Sequence, residues 1–167
     1  PIRLRKILDV MTGIYRAVGV FVNTSRAKVE KIAADCGLFA VQLHGNEKPA
    51  HFAGTKVSLW RSIRLAEGGI YDPRPEGWQA GMFLIDSVVP GQFGGTGTRA
   101  DWKEAALFAR KYPAILAGGL TAGNVADAIR VVRPMGVDVS SGIEIAPGRK
   151  DHKLMEQFIA NARAVKE

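Results

Sequence analysis

Three short stretches of small residues recur along the chain: Gly94-Gly95-Thr96-Gly97, Gly118-Gly119-Leu120-Thr121 and Ser140-Ser141-Gly142. Each follows a run that reads as a strand: Met82–Asp86, Ala114–Ala117 and Val137–Val139. Glycine lets backbone N–H groups approach a ligand with no side chain in the way. Where a strand gives way to a helix, such N–H groups and the helix N-terminus form an anion site. Any one of these loops alone is an ordinary turn. Their placement on successive strands instead favours a phosphate cradle built from Gly118, Gly119, Ser141 and Gly142. The last two strands of a repeating β/α chain are where (β/α)8 barrels hold phosphate. Asp86 ends the strand before the first loop, as a proton donor or as a capping or turn residue. Gln42 and His44 flank Leu43 at another strand end and so share one side. They read as polar residues near a substrate, or as structural ones.

The elements that must carry these residues alternate regularly, which predicts a parallel α/β sheet. A helix over 2–12 places Leu4, Ile7, Leu8 and Met11 on one face. A continuous apolar run at 17–22 predicts a buried strand. Thr24 or Ser25 begins the next helix and Gly37 ends it. Strand 39–43, a short helix at 47–53 and strand 57–65 follow, then a loop rich in Gly and Pro at 67–77. Strand 82–86 leads to a long loop at 87–98 and a helix over 99–111. Strand 114–117 leads to a helix capped by Thr121, with Val125, Ala128, Ile129 and Val132 inward. Strand 137–140 precedes a helix at 151–165 that buries Leu154, Phe158, Ile159 and Ala162. These are six strands, whereas a complete (β/α)8 barrel usually needs at least ~200 residues. The expectation is a truncated barrel forming one partial domain over residues 1–167, short of two β/α units at its start.

Composition narrows the function classes. Of 167 residues, 47% are apolar and 23% charged, which supports a packed core rather than disorder. The 23 Lys and Arg against 16 Asp and Glu give a net charge of +7, a field that draws anions. Arg3, Arg5 and Lys6 form one basic group, and Arg149, Lys150 and Lys153 another. Both read as helix surface, and with no recognised motif the expectation is no nucleic-acid partner. No apolar run approaches the ~18 residues of a membrane span. No secretory leader pattern opens the chain. The single cysteine, Cys36, excludes an internal disulfide and fits a cytoplasmic location. His51 and His152 read as solvated helix residues. No His, Cys or Asp cluster has ligand spacing, so no metal is expected.

Longer segments carry a resemblance. They are Val18-Gly19-Val20-Phe21-Val22-Asn23, Ala40-Val41-Gln42-Leu43-His44-Gly45 and Leu84-Ile85-Asp86-Ser87. They continue with Gly94-Gly95-Thr96-Gly97 plus Asp101-Trp102, and with Leu116-Ala117-Gly118-Gly119-Leu120-Thr121 plus Asn124-Val125. Val137-Asp138-Val139-Ser140-Ser141-Gly142-Ile143-Glu144 and Pro147-Gly148 with Lys150-Asp151 complete the set. In this order and spacing the chain resembles phosphoribosylanthranilate isomerase of tryptophan biosynthesis over essentially its whole length. The resemblance implies a TIM barrel and an Amadori rearrangement of a phosphoribosyl amine of anthranilate to an aminoketose, without a cofactor. That chemistry needs a general acid for the ring oxygen and a general base for the C2 proton.

The resemblance makes Asp86 the general acid, with partial desolvation raising its pKa. It makes Gly118, Gly119, Ser141 and Gly142 the phosphate site, and Gly94, Gly95 and Gly97 a lid over substrate. It puts Asp138 at the substrate, and Gln42 and His44 close by. The family's base is a cysteine in a Lys-x-Cys-Gly pattern ending the first strand. Cys36-Gly37-Leu38 mimics that pattern but precedes strand 39–43, roughly 15–20 Å from the catalytic strand ends. It reads as a packing residue. The family's anthranilate-recognising arginine, on the second strand, has no counterpart either. Little activity is therefore expected of this chain alone. Unpaired strand edges at 17–22 and 137–140 predict a homodimer by strand or helix exchange, or pairing with a complementary N-terminal fragment. Two alternatives stand beside this reading. Indole-glycerol-phosphate synthase would need a lysine at a strand end, and none is present. A non-catalytic phosphate-binding or assembly module would bind ligand without turnover.

Overall fold

The computed structural model describes residues 2–11, 15–66, 70–86 and 102–165. Within it the chain divides into two compact units, residues 1–62 with 75–82, and residues 63–74 with 83–167.

The first unit holds α1 (Ile2–Val10), β1 (Val18–Phe21), α2 (Arg26–Cys36), β2 (Ala40–Leu43), α3 (Pro49–Phe52) and the first residues of β3 (Ser58–Ala66). β1 pairs parallel with β2, and β2 with β3, so that Val20 lies level with Gln42, and Gln42 with Trp60. β2 is buried at every residue and has a paired strand on each side. α2 ends as expected at Gly37, whose φ of +62° lets its N–H turn back to the carbonyls of Ala33 and Ala34. The core gathers Val29, Ala33, Cys36, Val41, Leu43, Phe52 and Leu59.

The second unit holds the end of β3, then β4 (Ile70–Asp72), β5 (Met82–Asp86), α4 (Trp102–Ala109), β6 (Ala114–Ala117), α5 (Val125–Val132) and β7 (Gly136–Val137). A 3-10 turn (Ser141–Ile143), β8 (Glu144–Ala146), β9 (Arg149–Lys150) and α6 (His152–Arg163) complete it. β5, β6 and β7 run parallel in that order. Phe108 of α4 is fully buried, and its ring meets Tyr71 at 4.9 Å, Phe83 at 5.7 Å and Tyr112 at 4.8 Å. This aromatic cluster packs α4 onto β5.

Several expectations need correction. The apolar run at 17–22 is not buried: it stands at the expected edge, where among the described residues β1 pairs only with β2, and Val20 and Val22 are 61% and 59% exposed. Hydrophobicity shows what could be buried, not what covers it. Ile7 of α1 and Met11 just beyond it are half-exposed for the same reason. The loop 67–77 contains β4, which pairs antiparallel with β3 through Leu65 and Tyr71. Strand 137–140 shortens to Gly136–Val137. Asn124, not Thr121, is the N-cap of α5, since residues 121–124 first form a turn. Arg149 and Lys150 lie on a strand rather than a helix, and Ile159 is exposed.

Removing the Phe108 ring should cost about 3–5 kcal/mol, the usual price of a buried aromatic cavity. A urea titration of Phe108→Ala against the parent chain, at equal m-value, measures it.

Candidate active site

The ends of β5, β6 and β7 share one level in the second unit. Asp86 is in register with Ala117, and Val137 with Leu116. The Asp138 N–H donates to the Leu116 carbonyl at 2.8 Å, so the ladder runs one residue past β7. In-register residues of parallel strands point to the same face. Asp86 and Asp138 therefore flank Ala117 on one face, with only a methyl group between them. Asp86 is half-buried.

Beyond Ala117 the backbone turns through two consecutive left-handed residues, Gly118 at φ +83° and Gly119 at φ +61°. Side chains resist that conformation, which explains why both positions are glycine. Asn124 fixes the turn from beneath. Its Nδ2 donates to Gly119 O at 3.0 Å, and its Oδ1 accepts from Thr121 N at 2.8 Å. Asn161 of α6 adds a bond to Ala122 O at 2.8 Å. Gly142, inside the 3-10 turn, presses on this loop: a Cβ there would land on the Leu120 carbonyl oxygen. The loops at 118–121 and 140–142 thus meet, and the structure brings Gly118, Gly119, Ser141 and Gly142 into one neighbourhood.

Lys150 closes the far side of the second loop. Its Nζ donates to Ser140 O at 2.8 Å, to Ser140 Oγ at 3.3 Å and to Glu144 Oε1 at 2.6 Å. The hydrogen bond from Lys150 holds the Glu144 carboxyl below the usual carboxylate range. Gly95 and Gly97, expected as a lid, lie outside the described residues.

The first unit carries the other sequence-predicted residues. Gln42 Nε2 lies 3.2 Å from His44 Nδ1, so the two form one polar pair at the end of β2. Behind them lies a group that the sequence reading missed. Arg61 of β3 and Glu47 have side chains only 2% and 3% exposed and form an ion pair at 3.1 Å. Arg61 also donates to Leu43 O at 2.7 Å and Gly45 O at 2.6 Å, and its guanidinium lies 4.9 Å from the Trp78 ring centroid. Glu47 accepts the N–H groups of Asn23 at 2.7 Å and Gly45 at 2.9 Å. Asn23, at φ +50°, accepts the Asn46 N–H at its Oδ1, 2.8 Å away. One buried charge pair thus fixes the loops after both β1 and β2. The available signal was an arginine inside an apolar strand, which is rarely buried unless paired.

Cys36 is buried at the end of α2, in the turn leading into β2 and thus at the amino end of that strand. Among the described residues no group of His, Cys, Asp and Glu could hold a metal ion, and no helix is long and apolar enough to cross a membrane.

Parallel strands alternating with helices, with loops gathered beyond the carboxyl ends of the strands, define an α/β architecture. Residues 4–161 match the model of the N-(5'phosphoribosyl)anthranilate (PRA) isomerase family. An N-(5'-phosphoribosyl)anthranilate isomerase of Roseiflexus sp. is 47% identical over 149 residues, 88% of this chain and 70% of that protein. One from Pelobacter propionicus is 40% identical over 163 residues, 98% of this chain and 78% of that protein. The crystal structure of phosphoribosyl anthranilate isomerase from Thermotoga maritima superposes with a TM-score of 0.80 at 31% identity, covering 96% of this chain and 78% of that one. Another, in complex with reduced 1-(o-carboxyphenylamino)-1-deoxyribulose 5-phosphate, gives 0.75 at 29% identity over 96% and 77%. A third, of mutually generated monomers of the dimeric Thermotoga maritima enzyme, gives 0.73 at 28% identity over 96% and 77%. The chain belongs to the PRA isomerase family, the isomerases of tryptophan biosynthesis.

Arg61→Met should lower stability by about 3–5 kcal/mol, because it strands the buried Glu47 carboxylate. The double variant Arg61→Met with Glu47→Leu should recover only part of this, since Asn23 and Gly45 then lose their acceptor. Urea midpoints of the parent, single and double variants test both statements.

Proposed function

We propose that Asp86 is the general acid of the PRA isomerase reaction and that the loops at 118–121 and 140–142 bind the substrate phosphate. The observation that carries this reading is the common level of Asp86, Ala117 and Asp138, with the Gly118-Gly119 turn directly above. Neighbouring strands are about 4.8 Å apart, so Asp86 and Asp138 stand about 10 Å apart at the backbone, room for a ribose. Asp86 donates its proton to the furanose ring oxygen as the C1–O bond breaks, leaving a Schiff base between C1 and the anthranilate nitrogen. A base then takes the C2 proton, and the enolamine becomes the aminoketose. Asp138 accepts from a substrate hydroxyl or amine. Gln42 and His44 bind substrate as one polar pair, and Gly95 and Gly97 belong to the closing lid. The solved relative with a reduced deoxyribulose 5-phosphate ligand supports a phosphorylated substrate.

The base is not Cys36, which lies at the opposite end of its strand from Gln42 and His44. Turnover by residues 1–167 therefore depends on a base supplied from elsewhere. A purified sample should turn over PRA only when mixed with a peptide carrying the family's first two strands and their cysteine. Asp86→Asn should lower that rate about 100-fold or more. Turnover unchanged by Asp86→Asn would remove the general-acid assignment. Turnover without the peptide would place the base inside this chain.

The edge of β1, with Val20 and Val22 exposed, supports a homodimer by strand or helix exchange, as does the solved relative described as dimeric. Sedimentation at micromolar concentration should give twice the 18.0 kDa chain mass, and a single-chain mass would overturn the dimer. A cytoplasmic location suits a chain with one cysteine.

A further inference from the structure

Lys150 has no role in the reading above, yet its contacts all converge on one loop. An ammonium group has three donors, and Ser140 O, Ser140 Oγ and Glu144 Oε1 offer three acceptors. The lysine is therefore committed to protein partners, and Glu144, whose side chain is 16% exposed, balances its charge locally. Two of the three bonds grip Ser140, the residue immediately before Ser141. Ser140 is the N-cap of the 3-10 turn, and its own side chain makes no capping bond. Its backbone, at φ −121° and ψ −80°, lies outside the helical and extended wells. No side-chain cap of Ser140 holds that geometry, and Lys150 reaches it from β9. The opposing loop is pinned in the same manner by Asn124.

We infer that Lys150, braced by Glu144, is a positioning residue: it holds Ser140 so that the N–H groups of Ser141 and Gly142 face a phosphate. It is not a phosphate ligand itself. The inference rests on the phosphate-site reading above.

Inorganic phosphate is the probe, titrated by calorimetry and followed at the backbone amides of Gly119, Ser141 and Gly142 by NMR. The parent chain should bind phosphate with shifts at these amides. Lys150→Met should weaken binding about tenfold or more, as loss of charge-assisted hydrogen bonds implies. The loss should be equal at low and high salt, because a positioning effect is not screened. Glu144→Gln keeps the lysine but loosens its brace, and should give a smaller loss in the same direction. Amide spectra elsewhere in each variant must match the parent, which separates a local loss from unfolding. Unchanged phosphate affinity in Lys150→Met overturns the role of Lys150 and leaves the phosphate site standing. A loss that vanishes at high salt overturns positioning in favour of direct attraction by charge. No amide response in the parent overturns the phosphate site and, with it, this role.

Discussion

Burying an ion costs several kcal/mol unless its partners restore what water supplied. Arg61 and Glu47 meet that condition through geometry. The guanidinium donates to the carboxylate and to two carbonyls, and the carboxylate accepts two backbone N–H groups besides. The partners come from the middle of β3, the end of β2 and the loops that follow β1 and β2. No member can move without leaving a charge or a backbone group unsatisfied. This constraint sets where β2 ends and so where Gln42 and His44 stand. Gly45 belongs to the same constraint, because a Cβ there would crowd the Asn23 side chain and backbone. The polar pair at the mouth of β2 is thus held by charges on the opposite face of the strand.

The second unit solves the same problem with little buried charge. The Gly118-Gly119 turn takes backbone conformations that only glycine adopts readily, Gly142 packs where a Cβ would not fit, and polar side chains lock both loops. Asn124, Asn161 and Lys150 all bond to main-chain carbonyls. An anion site made of N–H groups needs carbonyls turned away from the ligand, and these side chains give the carbonyls somewhere to go. Asp86 and the two loops then sit at the ends of strands whose register is fixed by an ordinary parallel ladder.

Much of this arrangement was legible in the sequence. Asp86 closing an apolar run, the Gly118-Gly119 and Ser140-Ser141-Gly142 loops after two further strands and the alternation of Gln42 with His44 all gave correct placements within their own elements. Elements whose limits are set by neighbours were not legible. The run at 17–22 is as apolar as any core strand; its edge position was expected, but not that Val20 and Val22 would be left uncovered there. β4 was hidden because Ile70-Tyr71-Asp72 is too short to show a period and sits among turn residues. Thr121 was a sound capping candidate, but Asn124 reaches both Gly119 and Thr121 and displaces it. Arg61 and Glu47 were missed because each is ordinary alone: they lie 14 residues apart and matter only as a pair.

Cys36 gives the chain an internal gauge. It is the only cysteine in the sequence and is buried where α2 ends against the turn at Gly37. A thiol reagent reaches such a sulfur only when that helix end opens. When closing is fast, the rate of labelling reports the free energy of that opening, in native buffer and without denaturant. The chain therefore carries a probe of the strength of its first unit.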